Sequence, residues 1–210
     1  MTEPDRSDDA PAPVRPRRAD EFEAIYASTP PWDIGRPQAA FADLATAGQL
    51  RGRVLDAGCG TGEHALLAAS LGLEAIGVDA AATAIAIAER KARERGLTAS
   101  FRVGDALDLP ALAMAFDTVL DCGLFHIFDD EERARYVDSL RAVVPAGGRY
   151  HMLCFSDRQP GDWGPRRVHR DEIRASFATG WRIDSIEPAT IEVTVDIGSV
   201  SAWMVSVTRS

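Results

Sequence analysis

Residues 54–64 read VLDAGCGTGEH, and no other stretch restricts the fold of this chain so tightly. An apolar run ends in glycines at 58, 60 and 62 and passes directly into a helical pattern. Glycine permits a tight turn and lets a ligand approach where a Cβ would block it, so the stretch reads as strand, polar-ligand turn and helix. The same alternation continues downstream, which is the pattern of an α/β domain with a mostly parallel sheet.

Strands are expected at RVLDAG (53–58), EAIGVD (74–79), SFRVGD (100–105), FDTVLDCGLF (116–125) and RYHMLCFS (149–156). Helices are expected over 63–70, over about 81–95, from the capping-box pair Asp129 and Glu132 onward, and over 169–177. In the second of these Ala84, Ile85, Ala88 and Ala92 share a face, basic residues crowd the C-terminal end, and Gly96 follows. The chain closes with WRIDSIEPATIEVTV and SAWMVSVTR, two β-rich stretches with no helix between them, which predicts an antiparallel hairpin. Upstream, ADEFEAIYAS and PQAAFADLATAGQL read as amphipathic helices joined by TPPWDIGR, with Pro37 in the first turn of the second. The fold class expected is α/β, a seven-stranded, mostly parallel sheet with helices on both faces and a C-terminal antiparallel hairpin. Its expected organisation is a single domain over 21–210, with a helical segment over 21–50 and the core over 51–210.

Composition narrows the partners. A chain of 210 residues with net charge −9 opposes a broad footprint on phosphate backbones, so nucleic acid is excluded as a main partner. No stretch approaches the length of apolar sequence that a membrane span needs. The three cysteines are widely spaced and lack metal-ligand spacing, which points to a reducing cytoplasm without structural zinc. Residues 1–20, rich in proline and in charges of both signs, read as a disordered lead-in. Either a monomer or a homodimer is compatible with this composition.

A glycine-rich turn alone does not identify its ligand, because GTGEHA also satisfies a relaxed dinucleotide pattern. The acids discriminate. Asp56 precedes the glycines, Asp79 ends the second strand and Asp105 ends the third, so three carboxylates crowd one rim of the sheet. That rim suits a cation carrying hydroxyl and amino donors better than a pyrophosphate. In this order and spacing, DAGCGTG, GVD and GDA resemble the class I S-adenosylmethionine-dependent methyltransferases. The resemblance implies that the sheet is Rossmann-like, and that Asp56 and the backbone of Gly58 and Gly60 hold the methionine part of the cofactor. It implies too that Asp79 and the adjoining Ala80 serve the ribose, that Asp105 faces the adenine amino group, and that Ala106 offers a backbone N–H to the ring.

TPPWDIGRPQ (29–38) resembles the N-terminal segment of the thiol, halide and thiopurine methyltransferases, in which aromatic residues help to cap the cofactor. This resemblance implies that the segment over 21–50 is an N-terminal helical lid. Phe22, Tyr26 and Trp32 are the matching aromatics; Tyr26 would also face the substrate. An aromatic face attracts a sulfonium cation by about 0.5–2 kcal/mol. The alternative for Trp32, compatible with the first, is a staple holding the N-terminal helices to the core. Arg36 is expected to pair with the cofactor carboxylate or with Asp33.

The end of the fourth strand, LDCGLFHIF, should face the acceptor. His126 is the candidate general base, with a packing histidine as its alternative. Cys122 reads as a small residue beside the cofactor. Phe125 and Phe128 read as pocket wall or core, and Arg166 and Arg167 as ligands for an anionic substrate or as surface charge. The expected activity is methyl transfer by in-line displacement to a small thiol, phenol, hydroxyquinone or heterocycle. Alternatives are a nicotinamide-dependent oxidoreductase and a non-catalytic cofactor-binding protein; no Tyr-x-x-x-Lys pair supports the former.

Overall fold

The computed structural model describes residues 19–210; the expected disordered lead-in over 1–20 lies outside them but for its last two positions. Seven strands form one sheet in the order β3-β2-β1-β4-β5-β7-β6. They are β1 (Arg53–Ala57), β2 (Glu74–Asp79), β3 (Ala99–Val103), β4 (Thr118–Cys122), β5 (Arg149–Phe155), β6 (Trp181–Glu192) and β7 (Ser199–Arg209). The first five run parallel, and β7 inserts antiparallel between β5 and β6. The helices are α1 (Ala19–Ile25), α2 (Ala39–Thr46), α3 (Glu63–Ser70), α4 (Ala82–Arg95), α5 (Asp130–Val143) and α6 (Arg170–Ser176).

Alternation along the strands divides the core between the two faces. Leu55, Val119, Met152 and Cys154 pack with Tyr136, Leu140 and Phe177 from α5 and the end of α6. Val54, Leu120, Leu153 and Ile191 pack with Phe41, Ala65 and Ala68 from α2 and α3. No helix among the described residues is long and apolar enough to cross a membrane.

Three boundaries differ from expectation. The fourth strand runs Thr118–Cys122 where 116–125 was expected, because Asp121 turns back to accept the Leu124 N–H at 2.8 Å and a short 3-10 turn over Phe125–Ile127 follows. Pro37 stands before α2, whose N-cap is Gln38, and a 3-10 segment over Ala106–Leu112 begins at Asp105, which accepts the Leu107 N–H at 2.8 Å. The expected capping box of α5 forms, with Asp129 and Glu132 each accepting the other's backbone N–H.

β6 and β7 extend past the end of β5, whose last paired residue, Phe155, lies opposite Ala202. Their hairpin therefore stands above the C-terminal rim of the sheet, where the segment between α1 and α2 meets it. Pro31 accepts the Thr194 N–H at 2.8 Å, and the Gln38 side chain both donates to Glu192 O at 3.0 Å and accepts from Glu192 N–H at 2.8 Å. β6 is an edge strand, and the Gln38 amide occupies its open backbone groups as another strand would.

Candidate functional site

Asp56, Asp79 and Asp105 do lie at the C-terminal rim, each held by backbone N–H groups. Asp79 accepts from Gly60 at 2.8 Å with one oxygen and from Ala81 at 2.9 Å with the other, so its carboxylate ties the glycine turn to the start of α4. Burial pushes its pKa up, against the pull of these hydrogen bonds. Asp56 is 1% exposed and accepts from Ala65 N–H at 3.0 Å, serving one of the open donors at the N-terminus of α3. Its other oxygen, Oδ1, is buried without a hydrogen-bond partner among the described residues, and burial lifts the carboxyl to about 7. Asp105 and Ala80 are exposed, and Ala106 is buried at the start of its 3-10 segment.

The glycine turn is crossed by the N-terminal segment. A Cβ on Gly60 would stand 2.6 Å from the Tyr26 hydroxyl, which places that ring directly over the turn. The Trp32 Nε1–H points at the same hydroxyl from 3.4 Å, and Tyr26, Ala81, Ala84 and Phe22 form a small apolar cluster. Tyr26 is buried, and burial beside Asp79 holds its phenol well above the ordinary value. Glu23 of α1 accepts the Thr83 N–H and hydroxyl, so a carboxylate from α1 caps α4, whose own N-cap, Ala81, has no side-chain hydrogen bond to do so.

Sequence reasoning missed a second clasp. Asp33 accepts from the Thr61 hydroxyl at 2.9 Å; Lys91 donates to Thr61 at 2.7 Å and to Glu63 at 2.8 Å; Arg95 completes the pair with Glu63. Lys91 read as one of several basic residues at a helix end, and nothing local marks it as the one that turns inward. The same holds for Asp121, which accepts from Tyr136 at 3.1 Å and Tyr150 at 2.6 Å and rises to about 6 through burial.

Several expected site residues have other work. Arg36 pairs with Glu192 through two contacts at 3.1 and 2.5 Å rather than with Asp33. Arg166 bridges Asp130 and Glu172, and Arg167 donates to the carbonyls of Gln159, Pro160, Gly161, Trp163 and Pro165, bracing that loop from within. Both guanidinium groups thus have protein acceptors, which accords with the surface-charge alternative rather than with binding of an anionic substrate. Phe125 is fully buried, stacked on Phe177 and covered by Arg133 at 4.5 Å, so it is core and not pocket wall. Phe128 is buried against Tyr136. Cys122 is half-buried at the end of β4, its thiol pushed well up by burial.

His126 requires the largest correction. Its Nδ1 accepts the Phe155 N–H at 3.0 Å, which fixes the neutral ring with its proton on Nε2. No lone pair remains to take a proton, and burial with Arg167 and Arg133 nearby drives the pKa to about 3. The general-base expectation fails on both counts. What His126 does present is an Nε2–H beside Gly123, where a Cβ would lie 3.4 Å away.

His64 and His151 are likewise lowered by burial, each to about 4. A histidine that ionises near 6.5 unfolded but far lower when folded binds fewer protons in the native state. Its contribution to stability is full above 6.5 and is lost as pH falls toward the folded value. His126→Phe should therefore reduce the loss of unfolding free energy between pH 7 and 4.5 by about 2 kcal/mol, at 1.36 kcal/mol per pKa unit. Urea melts of both proteins at the two pH values measure this; identical pH dependence would contradict it. The buried carboxyls titrate in the opposite sense but equally in both proteins.

Residues 54–148 match a family described as a methyltransferase domain. The chain is 38% identical over 183 residues to a 2-heptyl-1-hydroxyquinolin-4(1H)-one methyltransferase of Mycobacteroides abscessus, covering 82% of this chain and 81% of that protein. It is 40% identical over 114 residues to a demethylmenaquinone methyltransferase of Thermus thermophilus, covering 53% and 51%. Among solved structures, one described by the conversion of a disulfide bond into a thioacetal group during echinomycin biosynthesis superposes with a TM-score of 0.84 at 37% identity, over 92% of this chain and 93% of the other. TehB from Haemophilus influenzae shares the fold, with a TM-score of 0.68 at 16% identity over 91% and 67%.

Proposed function

This chain belongs to the class I S-adenosylmethionine-dependent methyltransferases, and from that premise we propose that it methylates a small hydroxylated heteroaromatic compound of the hydroxyquinolinone type. The observation that carries this reading is the 38% identity, sustained over four-fifths of both chains, to an enzyme named for such a substrate. Membership in the family replaces the oxidoreductase and non-catalytic alternatives.

The residues at the rim fit the cofactor. Asp56 Oδ1 is a buried acceptor with no hydrogen-bond partner among the described residues, suited to an ammonium donor. A Cβ on Gly60 would collide with the Tyr26 hydroxyl, so this glycine lets the aromatic side chain sit against the turn. Asp79 is oriented by two backbone donors and Asp105 stands exposed at the next strand end, so acceptors are available for hydroxyl and amino groups. On this reading Asp56, with the backbone of Gly58 and Gly60, holds the methionine part, Asp79 and Ala80 the ribose, and Asp105 and Ala106 the adenine. Tyr26 and Trp32 cover the site and exclude water. When bound, S-adenosylmethionine supplies an activated methyl group on a sulfonium leaving group.

The protein's remaining task is alignment, which in oriented systems contributes about 7–11 kcal/mol. An acidic N-hydroxyl or phenol is already partly ionised near neutrality, so a buried histidine without a free lone pair is no obstacle. The His126 Nε2–H orients an acceptor oxygen by donating to it. Trp32, Val195 and Ile197 are exposed on the two segments joined by the Pro31 and Thr194 contact, and offer apolar surface for an alkyl substituent.

The test is product analysis by mass spectrometry after incubation with S-adenosylmethionine and, separately, 2-heptyl-1-hydroxyquinolin-4(1H)-one, a simple phenol and an aromatic thiol. The hydroxyquinolinone should give a singly methylated product with the highest kcat/KM. Turnover of the thiol with none of the hydroxyquinolinone would overturn the acceptor assignment while leaving the cofactor in place.

A further inference from the structure

The buried contacts between the β6–β7 hairpin and Asp56 form a continuous series. Glu192 is held through its backbone N–H and C=O by the Gln38 side chain. The Gln38 backbone N–H in turn donates to His64 Nε2 at 3.2 Å. Because Nε2 accepts, the neutral ring carries its proton on Nδ1, and Nδ1 faces Asp56 Oδ1 at 4.0 Å. That distance is beyond hydrogen-bond range, so the contact is electrostatic and Oδ1 keeps its capacity for another donor. Gln38 and His64 are 2% and 8% exposed, and the imidazole is locked against Phe41 with ring centroids 4.5 Å apart.

We propose that His64 is a positioning residue that couples the hairpin on the acceptor side to the carboxylate of Asp56 on the cofactor side, taking the Gln38 N–H on one nitrogen and directing an N–H dipole at Asp56 with the other. The proposal rests on the reading of Asp56 as a cofactor-facing group. A core-filling residue at this position would need only the contact with Phe41; the two nitrogens have separate and opposite tasks. Burial opposes the ionisation of Asp56 most strongly, and Asp79 on β2, Asp121 on β4 and Glu63 on α3 add to it, while the Ala65 N–H at its Oδ2 favours the charged form. The thiols of Cys59 and Cys122 and the phenol of Tyr136 face it as well, and none of these is a cation. The Nδ1–H of His64 adds a second dipole that favours the charged carboxylate, at Oδ1, where the Ala65 N–H does not reach. A hairpin displaced by an arriving acceptor would move Gln38, and with it the dipole that Asp56 feels.

Two substitutions separate the tasks. His64→Gln keeps an amide oxygen where Nε2 stands and removes the Nδ1 donor; His64→Asn keeps an amide N–H near Nδ1 and removes the acceptor for Gln38. S-adenosylhomocysteine binding, followed by calorimetry from pH 5.5 to 9, reads the ionisation of Asp56 as affinity that rises with pH through the carboxyl's titration. In His64→Gln the midpoint should move up by about one pH unit, with roughly fivefold weaker binding at pH 7. In His64→Asn the midpoint should stay at the wild-type value. The same midpoint in all three proteins would overturn the proposal, since a purely structural role weakens binding without moving the titration.

Nitrogen-15 NMR of the wild-type histidines supplies a reading that needs no variant to fold. His64 should carry its proton on Nδ1; a proton on Nε2 would equally overturn the proposal. Failure of the wild type to bind S-adenosylhomocysteine at any pH would instead remove the cofactor site itself, and the proposed coupling with it.

Discussion

Asp79→Ala should lower the affinity for S-adenosylhomocysteine by at least about a hundredfold while leaving a folded protein. The carboxylate has two functions that fail together. It pins the Gly60 N–H at 2.8 Å and the Ala81 N–H at 2.9 Å, and these fix the turn and the start of α4 relative to each other. It is also the acceptor at the end of β2 assigned to the ribose. A hydrogen bond to a charged group contributes about 1.5–3 kcal/mol, and two such bonds to a ligand diol amount to two or more powers of ten in the dissociation constant. The folded state loses less, because burial already penalises this carboxylate and raises its pKa. Calorimetry gives the affinity, and a thermal melt without ligand checks the fold. Wild-type affinity in the variant would remove Asp79 from the site.

Gly62→Ala should cost about 2–5 kcal/mol of stability. Gly62 is the N-cap of α3 with φ +88°, a conformation that strains an L residue by about 1–2 kcal/mol. A Cβ there would stand 2.7 Å from the Phe101 ring and 2.8 Å from Ala88 Cβ. The ring has no easy retreat, because it also lies against Gly77, where a Cβ would meet it at 2.6 Å. Overpacking of this kind adds about 1–3 kcal/mol. For a chain of this length the melting temperature should fall by roughly 5–15 °C. Gly60→Ala shares the positive-φ strain, at φ +51°, but provides the contrast in packing: its Cβ would meet only Tyr26, nearest at the hydroxyl, the far end of a side chain on the N-terminal segment. It should therefore lose ligand affinity more than stability. Equal melting temperatures for Gly62→Ala and wild type would show that α3 can shift away from Phe101 without cost.

The rim of the sheet was legible because each of its features is local. A short apolar run, a glycine that needs positive φ and an acid at a strand end are visible within six residues, and backbone sterics leave few ways to arrange them. The lid was legible only as a segment. Its aromatics could be named, but the docking of Glu23 on Thr83 and of Asp33 on Thr61 joins residues 60 and 28 positions apart. Arg36, Arg166 and Arg167 carried a charge that any acceptor could claim, and the sequence does not say which acceptor the fold brings closest. For Arg36 that acceptor is Glu192, 156 residues away.

His126 shows most clearly what each level decides. Residue type supplied an imidazole at the end of the fourth strand, with a pKa near neutrality as its default. Tertiary structure brought the Phe155 N–H to one nitrogen, removed water from the ring and set two arginines nearby, turning a candidate base into a fixed donor. Sequence by itself determined the strand order's raw material, the glycine turn and the acidic rim, because these depend on backbone geometry and near neighbours. Which polar side chains face the site, and in which protonation state, was decided only by long-range packing, because burial and hydrogen-bond partners set the relative energies of the charged and neutral forms.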